Sequence, residues 1–195
     1  MALSTVSIIG TAGGKEGGVL TSGLFNQMVH RARSIIIKDF QLIPENVILV
    51  SGGAAWSDHV AVELYLQDIE SPPSRWGGLQ IYFPCPWLVD RVAHLDNGQS
   101  GWTNNPGRLA NKLHTTFANQ MGRSTQADFF AVQSLGATLS CRSGFHARNA
   151  VVAESQYLIA FTFGPNMEEY RGGTAHTWNL SHGHKHHVSL ETLGS

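Results

Sequence analysis

The run Tyr157–Phe163, YLIAFTF, limits the folds open to this chain more than any other stretch. It is short, apolar and rich in aromatics, and it lacks the alternation of a strand with one wet face. It reads as a strand buried on both sides, the kind found in parallel sheets covered by helices. Its flanks agree with that reading. A helical pattern begins near His146 and ends at Ser155, ahead of the strand. A turn bearing Gly172-Gly173 follows it, then Thr174 and a second helical pattern. In open α/β sheets ligands bind beyond the carboxyl ends of the strands. The glycine pair falls at that end, where a bare backbone can approach an anion and the next helix offers unpaired N–H groups.

The same order of strand, glycine-rich turn and helix recurs along the chain. Val6–Gly10 (VSIIG) is a first strand, followed by the loop TAGGKEGG over 11–18 and a helix from Thr21 to near Phe40. Val47–Val50 (VILV) is a second strand leading into Ser51-Gly52-Gly53-Ala54-Ala55. Ser57 is placed to cap the next helix, with Asp58 in its first turn. Leu79–Phe83 is a third strand, Thr125–Leu135 a helix and His186–Leu190 a short last strand. Strands alternating with helices predict an α/β, three-layer sandwich with right-handed crossovers. The sheet is mostly parallel, with about five strands in the order 3-2-1-4-5 and its switch point beside the first strand.

Pro84–Gly122 breaks this rhythm with three prolines, two tryptophans and the helical piece Arg108–Met121. It is too short to bury a core of its own. The expectation is one domain over residues 1–195 with an insertion at about 84–122 lying over the ligand edge of the sheet.

Three segments carry the candidate chemistry. In TAGGKEGG and the glycine before it, Gly10, Thr11, Gly13 and Gly14 offer anion contact, yet Lys15-Glu16 does not match a P-loop and no dinucleotide fingerprint can be placed. In SGGAAWSDH, the small residues Ser51, Gly52 and Gly53 admit a phosphate or ribose. Asp58 reads equally as an acceptor for a sugar hydroxyl and as a plain helix N-terminal carboxylate. In FHARN and RGGTAHTW, Arg148 offers a donor fork for phosphate, and Asn149 and His146 can orient a substrate or cap a helix. Gly172, Gly173, Thr174 and Thr177 have the composition of an anion cradle. Trp56 or Trp102 can stack on a base, although core packing is the usual fate of tryptophan.

Together SGGAAWSDHVAVEL, GFHARNAVVAES and AFTFG…RGGTAHT resemble, in that order, the SLOG superfamily. This group includes the DNA-processing protein DprA, the LOG phosphoribohydrolases and nucleotide-sensing domains of bacterial defence systems. Arg148-Asn149 resembles the Arg-Asn of the DprA-type motif, and Gly172-Gly173-Thr174 resembles a shortened LOG turn. The resemblance implies a Rossmann-like sheet that binds a nucleotide or ribose-phosphate derivative at its glycine-rich turns. LOG enzymes hydrolyse an N-glycosidic bond and carry a glutamate three residues past the threonine of that turn; here the position is Thr177. The carboxylates left for such chemistry are Asp58 and Glu154. The alternatives are a non-catalytic sensor of an ADP-ribose-like nucleotide and DprA-like handling of single-stranded DNA.

Bulk properties narrow the choice. The formal net charge is −1, so the basic face of a dedicated nucleic-acid binder is not expected. Charged residues make up only 14% of the chain, and 42% is hydrophobic, which argues for a packed core. Cys85 and Cys141 lack metal-ligand spacing, and the alternating His182, His184, His186 and His187 have no carboxylate or cysteine near them in sequence. No metal site and no cofactor are expected. Neither a signal peptide nor a membrane-spanning run can be read, so a cytoplasmic setting is expected. Related sheets often pair, which by analogy allows a homo-oligomer.

Overall fold

The computed structural model describes residues 2–13, 18–70, 75–168 and 170–193. Six parallel strands form one sheet in the order β6-β3-β2-β1-β7-β8. They are β1 (Ser4–Gly10), β2 (Val47–Ser51), β3 (Gly78–Phe83), β6 (Thr138–Cys141), β7 (Tyr157–Thr162) and β8 (His184–Ser189). The expected order 3-2-1-4-5 survives inside this sheet, with β6 added beyond β3. Thr138–Cys141 gave no strand signal because its side chains are exposed or half-buried, as an edge position permits. The last strand starts at His184 rather than His186, because β7 pairs with it from Tyr157↔His184 to Thr162↔Ser189.

Alternation along the central strands sorts the core into two layers. Val6, Ile8, Leu49, Ile159 and Phe161 face one side, with α1 (Ser22–Ser34) and α2 (His59–Glu70). Ile9, Val50, Leu158 and Ala160 face the other, with α5 (Gly144–Ala153) and α6 (Gly172–Leu180). Helix α1 starts where the Thr21 hydroxyl accepts from the Leu24 N–H at 3.1 Å and buries Leu24, Phe25, Met28, Val29 and Ala32. Ser57 does not cap α2. A short 3₁₀ turn, Trp56–Asp58, precedes the helix, and the Ser57 hydroxyl donates to the Phe161 carbonyl of β7 at 3.3 Å. The pair Gly172-Gly173 is likewise not a turn ahead of α6 but its first turn.

The segment after β3 folds as a small hairpin, β4 (Trp87–Leu88) with β5 (Ala93–His94), and then α3 (Pro106–Met121) and α4 (Ala127–Ser134). Asn105 caps α3 by accepting from the Arg108 N–H, and Gly122 ends it at φ +67°. This segment does not float over the sheet. Its Trp87, His94, His114, Phe117 and Phe129 interdigitate with Phe83 of β3 and His59 of α2 in mostly edge-to-face contacts, such as Phe83–Phe129 at 5.0 Å between centroids.

Three histidines sit inside that aromatic layer. The Gly53 carbonyl can only accept, so His114 must donate to it from Nε2 at 3.1 Å, and Nδ1 accepts from the Thr125 hydroxyl at 3.0 Å. His59 Nε2 lies 2.9 Å from Asp128. His94 has neither ring nitrogen hydrogen-bonded among the described residues. Burial, helped by the Arg148 charge, lowers its pKa to about 4.

Acid therefore acts on this layer. Between the ordinary histidine value of 6.5 and about 4, the unfolded chain holds a proton on His94 that the folded chain does not, so stability falls as pH drops through that window and is unaffected above it. Wild type is expected to lose about 3 kcal/mol more than a His94→Phe variant between pH 7 and pH 4, at about 1.4 kcal/mol per pKa unit. Urea midpoints at the two pH values measure it, and parallel losses in the two proteins would contradict it.

Candidate functional site

Because every strand of the sheet is parallel, the carboxyl ends of β1, β2 and β7 open on the same edge. A pocket of about 440 Å³ lies there. It is walled by the turn after β1, the turn after β2, the first turns of α5 and α6, and side chains of the inserted segment. Of the residues singled out in the sequence, Gly10, Asp58, Trp102, His146, Arg148, Asn149, Gly172, Gly173, Thr174 and Thr177 line it.

The pocket is organised by a buried ion pair. Arg148 Nη1 donates to Asp58 Oδ2 at 2.8 Å, and the two residues are only 8% and 4% exposed. Burial raises the pKa of the Asp58 carboxyl, opposed by the Arg148 charge and by backbone N–H groups of Ala54 and Gly52. Gly52 is dictated by this pair, since a Cβ there would stand 1.7 Å from Arg148 Nη1 and 2.4 Å from Asp58 Oδ2. The guanidinium also lies 5.6 Å from the Phe145 ring, and its Nε is buried with no hydrogen-bond partner among the described residues. An orphaned donor of this kind asks for an acceptor.

The threonines have a different task from the one expected. Thr174 donates its hydroxyl to the Gly10 carbonyl at 2.7 Å, and Thr177 donates to the Gly173 carbonyl at 3.0 Å. Asn149 Nδ2 donates to the same Gly173 carbonyl at 3.2 Å. These bonds fasten the first turn of α6 to β1 and α5 instead of pointing hydroxyl protons at a ligand. The N–H groups of that turn carry the positive end of the helix, and among the described residues the N-cap side chain, Arg171, makes no capping hydrogen bond to them.

Several expected residues lie behind the pocket or away from it. Ser51 donates to the Asp58 backbone carbonyl at 2.8 Å and accepts from the Gly53 N–H at 3.0 Å. Ser51, Gly52 and Gly53 thus form a floor beneath the ion pair. Thr11 is buried, with its hydroxyl accepting from the Gly13 N–H at 3.3 Å, and Gly13 backs onto Trp56. Gly14 lies outside the described residues. Glu154 is on the wrong edge: it borders a wider cleft of about 650 Å³ at the amino ends of β7 and β8, with Tyr157, His182 and His184. In the pocket, Trp102, Leu109 and Leu113 come from the inserted segment, Phe145 and His146 from α5, and His176 from α6. No role for Leu109, Leu113, Phe145 or His176 was read from the sequence; the signals were the position of the insertion for the two leucines and the segments FHARN and RGGTAHTW for Phe145 and His176. No group of His, Cys, Asp or Glu among the described residues is arranged to hold a metal ion. No described helix is long and apolar enough to cross a membrane.

No family model matches the chain. It is 30% identical over 190 residues to an uncharacterized protein of Acanthamoeba polyphaga mimivirus, covering 95% of each chain. The chain belongs to the family of that viral protein.

The ion pair gives a direct test. Asp58→Ala leaves the Arg148 charge buried and uncompensated and is expected to cost about 3–5 kcal/mol in chemical denaturation. Adding Arg148→Met to the same chain removes the stranded charge and is expected to restore part of that loss. A double variant destabilised by the sum of the Asp58→Ala and Arg148→Met losses measured singly would show that the pair is not coupled.

Proposed function

We propose that the pocket binds a small nucleotide or ribose-phosphate derivative, as a divergent SLOG-like domain would. One observation carries this reading: the buried Arg148 and the first turn of α6, where the Arg171 side chain makes no capping hydrogen bond, line the same cavity. Backbone N–H groups at a helix start, beside a guanidinium, are suited to an anion such as phosphate. The segments that carry the SLOG resemblance, distant in sequence, supply walls of this cavity or the floor beneath it. Its volume falls in the range of roughly 300–1,000 Å³ usual for small-molecule sites.

Binding without turnover fits the carboxylates best. Asp58 already accepts from Arg148 and from backbone N–H groups, and Glu154 lies at the opposite edge. The position of the LOG glutamate is occupied by Thr177, whose hydroxyl is spent on Gly173. Hydrolysis of an N-glycosidic bond is the second reading, because Asp58 does line the pocket and could face charge developing at the anomeric carbon. A net charge of −1 speaks against single-stranded DNA as the ligand.

A thermal-shift and calorimetric screen of nucleoside monophosphates and ADP-ribose tests the reading. A true ligand at about a hundred times its Kd stabilises the fold by about 2.7 kcal/mol and is recovered unchanged. Arg148→Met is expected to weaken it at least about tenfold, the size of one lost charge-assisted hydrogen bond. Free base released by wild type but not by Asp58→Asn would favour hydrolysis instead.

A further inference from the structure

The pocket has two unlike ends. Arg148, Asn149 and the first turn of α6 make one of them polar and anion-seeking. Trp102, Leu109, Leu113 and Phe145 make the other apolar. A bare sugar phosphate would satisfy the first and leave the second against water.

Trp102 stands out at the apolar end because it is 50% exposed at the rim. Its ring centroid lies 5.9 Å from Phe145 and 6.1 Å from His146, with both planes tilted by 54°, so neither neighbour is stacked on it. Its loop is tied down. Arg108 donates from Nε and Nη2 to the two carboxylate oxygens of Asp96 at 3.1 and 3.3 Å. Asn105 Nδ2 donates to Asp96 and to the Gln99 carbonyl, and Asn97 Nδ2 donates to the Asn104 carbonyl. An aromatic ring half in water, on a loop braced by hydrogen bonds from both sides, is a preorganised platform rather than a core residue. His146 connects this platform to His176, 4.8 Å away between centroids, whose buried Nδ1 has no partner among the described residues.

We infer that Trp102 is the stacking platform for a planar heteroaromatic base, so that the ligand is a nucleotide and not a sugar phosphate alone. The inference rests on the reading of the pocket given above and narrows its ligand class. Base and phosphate would occupy the two ends, with the inserted segment choosing the base and the glycine-bearing turns holding the phosphate.

The test is calorimetry with the four nucleoside 5′-monophosphates and with ribose 5-phosphate, on wild type, Trp102→Ala and Trp102→Phe. Stacking on an aromatic side chain is commonly worth about ten- to a hundredfold in affinity. At least one monophosphate is expected to bind wild type tighter than ribose 5-phosphate by that factor. Trp102→Ala should bring the two within about threefold, and Trp102→Phe should retain most of the difference. Equal affinity for ribose 5-phosphate and every monophosphate, or a preference that survives Trp102→Ala, would overturn the base platform while leaving the anion site standing. No binding of any of the five, nor of ADP-ribose, by folded wild type would overturn the pocket reading itself, and the platform with it.

Discussion

Burial of β1 and β7 on both faces is the constraint from which the rest of the molecule follows. Apolar side chains on two sides of a strand must be covered twice, so helices pack above and below the sheet. Parallel strands joined through helices must all run the same way, and their carboxyl ends share one edge. Each returning helix then begins at that edge, with its unpaired N–H groups there. The pocket is thus placed by the need to bury Ile8, Ile9, Ile159 and Phe161, before any residue in it is chosen for chemistry.

What chemistry does add is costly. Asp58 and Arg148 are taken almost completely out of water to form a pair that well-packed apolar residues would often match for stability. Gly52 must lack a side chain to let them meet, and Trp56 adopts a positive φ of 60° in the same turn while almost fully buried. Strain and a buried ion pair thus meet at one turn, whose Ala54 and Asp58 line the pocket.

Much of this was legible in the sequence. The buried strands, their glycine-bearing turns and the gathering of Arg148, Asn149, Asp58 and Gly173 at one edge follow from apolar runs and from where small residues interrupt them. The short strand Thr138–Cys141 was not legible, because an edge position needs no apolar run and its side chains are not fully buried. The places of Thr174, Thr177 and Glu154 were not legible either. Hydroxyls near a helix start suit a ligand and a backbone carbonyl equally, and only coordinates tell which one they reach. Glu154 falls at the end of α5, so the length of that one helix carries it to the far side of the sheet. Leu109 and Phe145 gave no signal because an apolar side chain lining a pocket looks, in sequence, like one lining a core.

The hydrogen bond from His114 to the Gly53 carbonyl ties the inserted segment to the floor under the ion pair. Swinging helix α3 as an independent flap is therefore opposed by this bond and by packing. Moving it would break a bond inside the protein and pull Phe117 out of its packing against Trp56. Traffic into and out of the cavity falls instead to the solvent-facing rim at Trp102. On the proposed reading, the ring offered as a platform for the ligand also stands at the doorway, so that one surface loop, and not the body of the protein, would set its residence time.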